Sequence, residues 1–76
     1  MNPEHLVTMA NDIGHFFASA PDREQAARDI AGHLKRYWDP RMRRDIVAHY
    51  RRGGEGLEDS VRRAVGLLAD EAPPAG

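Results

Sequence analysis

Tyr37-Trp38-Asp39-Pro40-Arg41-Met42-Arg43-Arg44, residues 37–44, decides how this chain folds. The residue before a proline is driven out of the α region, so a helix arriving through Tyr37 and Trp38 ends at Asp39. Asp39 then suits the N-cap of a new helix, with Pro40 at its first position, where no amide hydrogen is needed. One short run therefore writes a helix stop, a corner and a helix start.

Upstream of the corner, Ala26, Ala27, Ile30, Ala31, Leu34, Tyr37 and Trp38 recur at three- and four-residue steps, giving one apolar face over about residues 22–38. Asp22 opens that helix, and Gln25 three residues on completes a capping-box pattern. Ser19-Ala20-Pro21 closes an earlier helix of about residues 3–19, which Asn2 caps, with Pro3 at its first position and Glu4 just inside. Leu6, Met9, Ala10, Ile13, Phe16 and Phe17 form its stripe. Gly14 interrupts that stripe at a cost of about 1 kcal/mol in helix propensity, which the close approach of another helix would explain.

Downstream, a third helix of about residues 40–52 turns Met42, Ile46, His49 and Tyr50 inward. Gly53-Gly54-Glu55-Gly56 reads as a flexible hinge, because it follows a helix rather than a strand and lacks the lysine and hydroxyl of a phosphate loop. Leu57, Val61, Ala64, Val65 and Leu68 mark a last helix of about residues 57–70. Residues 71–76, with Ala72-Pro73-Pro74-Ala75-Gly76, read as a disordered tail. The expected fold is all-α. Residues 1–70 make one domain, a small bundle of three to four short helices, with three forming the core and the mobility of the fourth left open.

A chain of 76 residues buries only about 60% of the surface its unfolded form exposes. Small scaffolds recover that deficit by oligomerising or docking on a partner. With no cysteine, the chain has no disulfides, thiolate metal sites or thiol nucleophile, which accords with a reducing cytoplasm. Glu4, His5, Asn11, Asp12 and His15 occupy the place where the apolar core of a signal peptide would lie. No stretch approaches the roughly 20 apolar residues of a membrane span. A cytoplasmic protein without a membrane anchor is expected.

Nothing assembles an active site. His5, His15, His33 and His49 form no helical zinc pair with a carboxylate and read as structural. Ser19 and Ser60 are the only serines, and neither lies in a nucleophile elbow. No catalytic, cofactor-binding or metal-binding residue is assigned, and the chain reads as a non-enzyme.

The charge is segregated. Residues 1–34 carry five acids and two bases, residues 35–52 seven bases and two acids, and residues 53–76 five acids and two bases. A basic centre between acidic flanks marks a contact surface. At about 100° per residue, Arg41, Arg44, Arg51 and Arg52 fall opposite the inward side of the third helix, with Arg43 on the border beside Tyr50. Arg41, Arg43 and Arg44 crowd its first turn, where the helix dipole disfavours positive charge by about a few tenths of a kcal/mol each. Three uses stand open: a solvated face paired with Asp39, Asp45 or acids of neighbouring helices; bidentate pairing with a partner's carboxylates; or nucleic acid, against which the overall acidity weighs. Trp38 reads first as a core plug and second as a half-exposed anchor, and the two roles are compatible.

Residues 37–44, with Met9-Ala10-Asn11-Asp12-Ile13-Gly14-His15-Phe16-Phe17 and Ile30-Ala31-Gly32-His33-Leu34, resemble the small delta subunit of cytoplasmic, molybdenum-containing, NAD-dependent formate dehydrogenases. The resemblance runs over about residues 5–69. It implies a cofactor-free accessory subunit that binds the catalytic molybdenum subunit and supports assembly, stability or maturation of the molybdenum cofactor. Bis-molybdopterin guanine dinucleotide, iron–sulfur clusters and FMN then reside on the other subunits. A cofactor-insertion chaperone is a further implied partner, and the isolated subunit is open to homodimerisation. The implied contact set is Trp38, Asp39, Pro40, Arg41, Met42 and Arg43, joined by Arg44 from the same turn and supported by Asn11, Gly14 and His33. Outside this family, the basic third helix would suit a small nucleic-acid-binding regulator.

Overall fold

The computed structural model describes residues 2–71. They form four helices: α1 (Pro3–Phe16), α2 (Arg23–Tyr37), α3 (Pro40–Arg51) and α4 (Asp59–Glu71), with no strand among the described residues. The first three helices start where the cap residues predict. Asn2 accepts the Glu4 N–H at 2.9 Å, Asp22 the Gln25 N–H at 2.7 Å and Asp39 the Met42 N–H at 2.9 Å. The capping box at Asp22 is only half made, because the Gln25 amide donates to Asp29 at 2.8 Å, one turn further on.

Asp39 does two jobs at the α2–α3 corner. Its carboxylate satisfies an amide that the first turn of α3 leaves unpaired, and it offsets the positive end of a helix whose first turn holds no other acid. Asp39→Ala is therefore expected to destabilise the domain by about 1 kcal/mol, lowering the melting temperature by about 4–8 °C, while Asp39→Asn keeps most of it. A thermal melt followed by circular dichroism reads this directly.

Several ends differ from expectation. α1 stops at Phe16 rather than residue 19, where the Phe17 N–H is shared between the Ile13 and Gly14 carbonyls at 3.3 and 3.2 Å. α4 begins at Asp59 rather than residue 57, because Leu57 is used as a buried plug outside the helix, with its N–H on the Gly54 carbonyl at 3.1 Å. Glu71, assigned to the tail, is the last residue of α4 and pairs with Lys35 of α2 at 2.5 Å. Residues 72–76, expected to be disordered, lie outside the described residues.

The core draws on every helix. Leu6, Ile30, Leu34, Ile46, Val61 and Val65 are its largest fully buried side chains, and Trp38 and Leu57 close it from the connections. The fourth helix is no mobile appendage. Val61, Ala64, Val65 and Leu68 are all buried at i, i+3, i+4 and i+7, and α4 packs against α2 more extensively than any other pair of helices. Ala27 and Ala31 on α2 and Ala64 on α4 are small enough to let the two axes come together.

Gly14 has the packing reason the sequence asked for. A Cβ placed there would overlap Cγ2 of Val61, so α1 crosses α4 through the missing side chain. Two aromatic residues expected inside are outside: Phe16 is 79% exposed and Tyr37 67%. Each stands next to another aromatic residue, about 100° away on the helix, and Phe17 and Trp38 take the inward positions. Val47, which was not anticipated, is buried beside Ile46.

Candidate functional site

The glycine-rich segment after α3 is tied down at each of its carbonyls. The two arms of Arg62 donate to Gly53 and Gly54 at 2.8 and 3.0 Å, His49 Nε2 to Glu55 at 2.8 Å and the Asn11 amide to Gly56 at 2.9 Å. Asn11 also accepts the Glu58 N–H at 3.1 Å, and His15 lies 2.8 Å from the Glu58 carboxylate. Gly54 sits at φ +64°, and a Cβ there would press on the Arg62 guanidinium, so glycine is required for the grip to close. The hinge expected here is a fastened loop. A carbonyl only accepts, so His49 carries its proton on Nε2.

These ties give Asn11, His15 and His49 local structural work, as the helix crossing does for Gly14. The basic centre is different. Trp38 is buried in the core, Asp39 is the cap, and Pro40 is exposed at the first position of α3. Arg41 and Arg44 are exposed, while Met42 and Arg43 are half-buried at the edge of the core. Lys35 pairs with Glu71, and Arg51 donates to the Ala69 carbonyl at 3.3 Å. Among the described residues, Arg41, Arg43 and Arg44 make no ion pair. The Arg43 Nε–H is shielded from solvent with no acceptor among them, an arrangement seldom left in a folded protein without a further partner.

A second surface feature was not visible in the sequence. Phe16, Phe17, His33 and Tyr37 form a continuous row from the end of α1 to the end of α2. Phe16 meets Phe17 edge-on at 5.2 Å, Phe17 meets His33 edge-on at 6.0 Å, and His33 meets Tyr37 at 4.7 Å between ring centres. The available signal was the pairing itself: where two large aromatics are adjacent at a helix end, both cannot face inward.

A family model for the NADH-dependent formate dehydrogenase delta subunit, FdsD, matches residues 5–65. The chain belongs to this family. The family is the one that residues 9–17, 30–34 and 37–44 resemble, and the matched span covers α1 from its third residue, α2, α3 and the first half of α4. No curated protein and no solved structure matches.

Within this delta-subunit chain, the loop ties, the arginines of α3 and the aromatic row all lie inside the matched span. Among the described residues, no group of three or more histidines or carboxylates is placed to hold a metal ion. No described helix is long and apolar enough to cross a membrane.

Proposed function

We propose that this chain is a non-catalytic accessory subunit. It binds the molybdenum-carrying catalytic subunit of a cytoplasmic, NAD-dependent formate dehydrogenase and supports assembly, stability or cofactor maturation of that complex. The observation that carries this reading is the delta-subunit family match over residues 5–65. The molybdenum, iron–sulfur and flavin groups belong to the other subunits, and a cofactor-insertion chaperone shares the partner during maturation. The first turn of α3 supplies contacts through Pro40, Arg41, Arg43 and Arg44, whose guanidinium groups suit bidentate pairing with carboxylates. Trp38, Asp39 and Met42 hold that turn in place from the core and the cap.

Arg41→Glu with Arg43→Glu is expected to weaken association with the catalytic subunit by about tenfold or more, as reversal of interface charges does. The free chain should keep its helical circular dichroism. Co-purification from formate-grown cells, with formate-dependent NAD reduction in the recovered material, provides the readout. Unfolding of the double variant would make these arginines structural. Salt-dependent binding of the wild-type chain to DNA at about 50 mM salt, without the catalytic subunit, would favour the nucleic-acid reading.

A further inference from the structure

We propose that the row Phe16–Phe17–His33–Tyr37, with the bare backbone at Gly32 beside it, docks an apolar helix edged with carboxylates on the catalytic subunit. The surface is built from this chain's own residues. Only the identity of the partner rests on the accessory-subunit reading.

Among the described residues, Phe16 and Tyr37 are the two large apolar side chains left exposed. Both are held by ring contacts to half-buried neighbours, Phe17 and His33, so covering them immobilises little that is free. Ordered aromatic residues of this kind dominate interface hot spots.

Gly32 is the second, independent observation. It lies in the middle of α2, exposed, and a Cβ added there would meet nothing within 4 Å. Its cost in helix propensity relative to alanine is offset by no contact among the described residues. Gly14 differs in this respect, because α4 fills the space beside it. At i, i+4 and i+8, Arg28, Gly32 and Arg36 form one ridge of α2. His33 and Tyr37 form the ridge next to it. A helix laid along this face meets rings on one side and passes close over Gly32.

Charge selects the occupant. Arg28 and Arg36 stand one turn to either side of Gly32, exposed and without an ion pair among the described residues. Asp29, the nearby carboxylate, accepts the Gln25 amide. A second copy of the chain would set this ridge against itself, bringing arginine to arginine, because a two-fold contact uses the same patch twice. A different chain carrying acids meets both demands.

The test co-expresses the tagged full chain with the catalytic subunit and compares wild type with two variants. Phe16→Gln with Tyr37→Gln should weaken association about 30-fold, which is about 2 kcal/mol at 1.4 kcal/mol per tenfold. Gly32→Gln should raise the melting temperature of the free chain and yet weaken association about tenfold. A purely structural glycine would not move the two readouts in opposite directions. If wild type associates and both variants associate equally well, this surface is wrong and the accessory-subunit reading stands. If wild type does not associate at all, both fall. If the variants instead abolish self-association of the free chain, the occupant is a second copy and the proposed partner is overturned.

Discussion

Trp38→Ala is expected to remove about half of the stability of the free chain. Trp38 is 6% exposed and stands just past the last turn of α2, its N–H still bonded to the Leu34 carbonyl at 3.0 Å. From that corner its ring closes a core that also holds Leu34, Ile46 and Val47. Removing a buried tryptophan costs about 3–5 kcal/mol. A domain of this length has a total stability of about 4–10 kcal/mol, so the change removes much of the margin. The expected readout is a melting temperature lower by about 15 °C or more, or no cooperative transition. Trp38→Phe should remain folded, because the corner keeps an aromatic plug. In the wild type, the emission of this sole tryptophan should shift to the red on unfolding in urea. An alanine variant that stayed folded but lost the catalytic subunit would instead make Trp38 an interface anchor.

The helix crossing at Gly14 carries the second large effect. Gly14→Leu gains helix propensity but drives a branched side chain into Val61, which is 1% exposed and has no rotamer to spare within α4. Overpacking of this kind costs about 1–3 kcal/mol and here should reach the top of that range, because separating α1 from α4 also strains the ties from Asn11 and His15 to residues 56–58. The check is a double-mutant cycle with Gly14→Ala and Val61→Ala. The two positions should couple by about 1 kcal/mol or more, the double variant being more stable than the sum of the single changes predicts. Additive effects would mean that the helices do not meet at this point.

These two positions illustrate different degrees of legibility. The break at Asp39-Pro40 is a property of three consecutive residues, and the corner appears where local sterics put it. Gly14 announced only that something unusual happens in α1. That its neighbour is Val61 depends on how residues 47 positions apart are brought together. The glycine-rich loop shows the same limit more sharply. Its composition suggested freedom, yet each of its carbonyls is held by a side chain, and the Asn11 tie comes from 45 residues away.

The candidate surfaces divide in the same way. The arginines of α3 were legible because a charge run and its helical spacing can be read along the chain. The aromatic row was not, since Phe16 belongs to a wide apolar stripe, and which flank of that stripe is covered depends on the neighbouring helix. Nor could periodicity rank the helices. It shows that α4 has one apolar face, but not that this face lies against α2 at the middle of the core.

By itself the sequence determined the caps of the first three helices, the proline corner and the all-α class, because these rest on steric, hydrogen-bonding and spacing rules acting over a few residues, while the delta-subunit family was reached by the resemblance that residues 9–17, 30–34 and 37–44 carry. Only the tertiary structure decided that α4 is central, that the glycine loop is fastened, that Trp38 lies inside and that Phe16 and Tyr37 lie outside. Those outcomes turn on which surfaces pack against each other, and burial is a property of neighbours far apart in the chain.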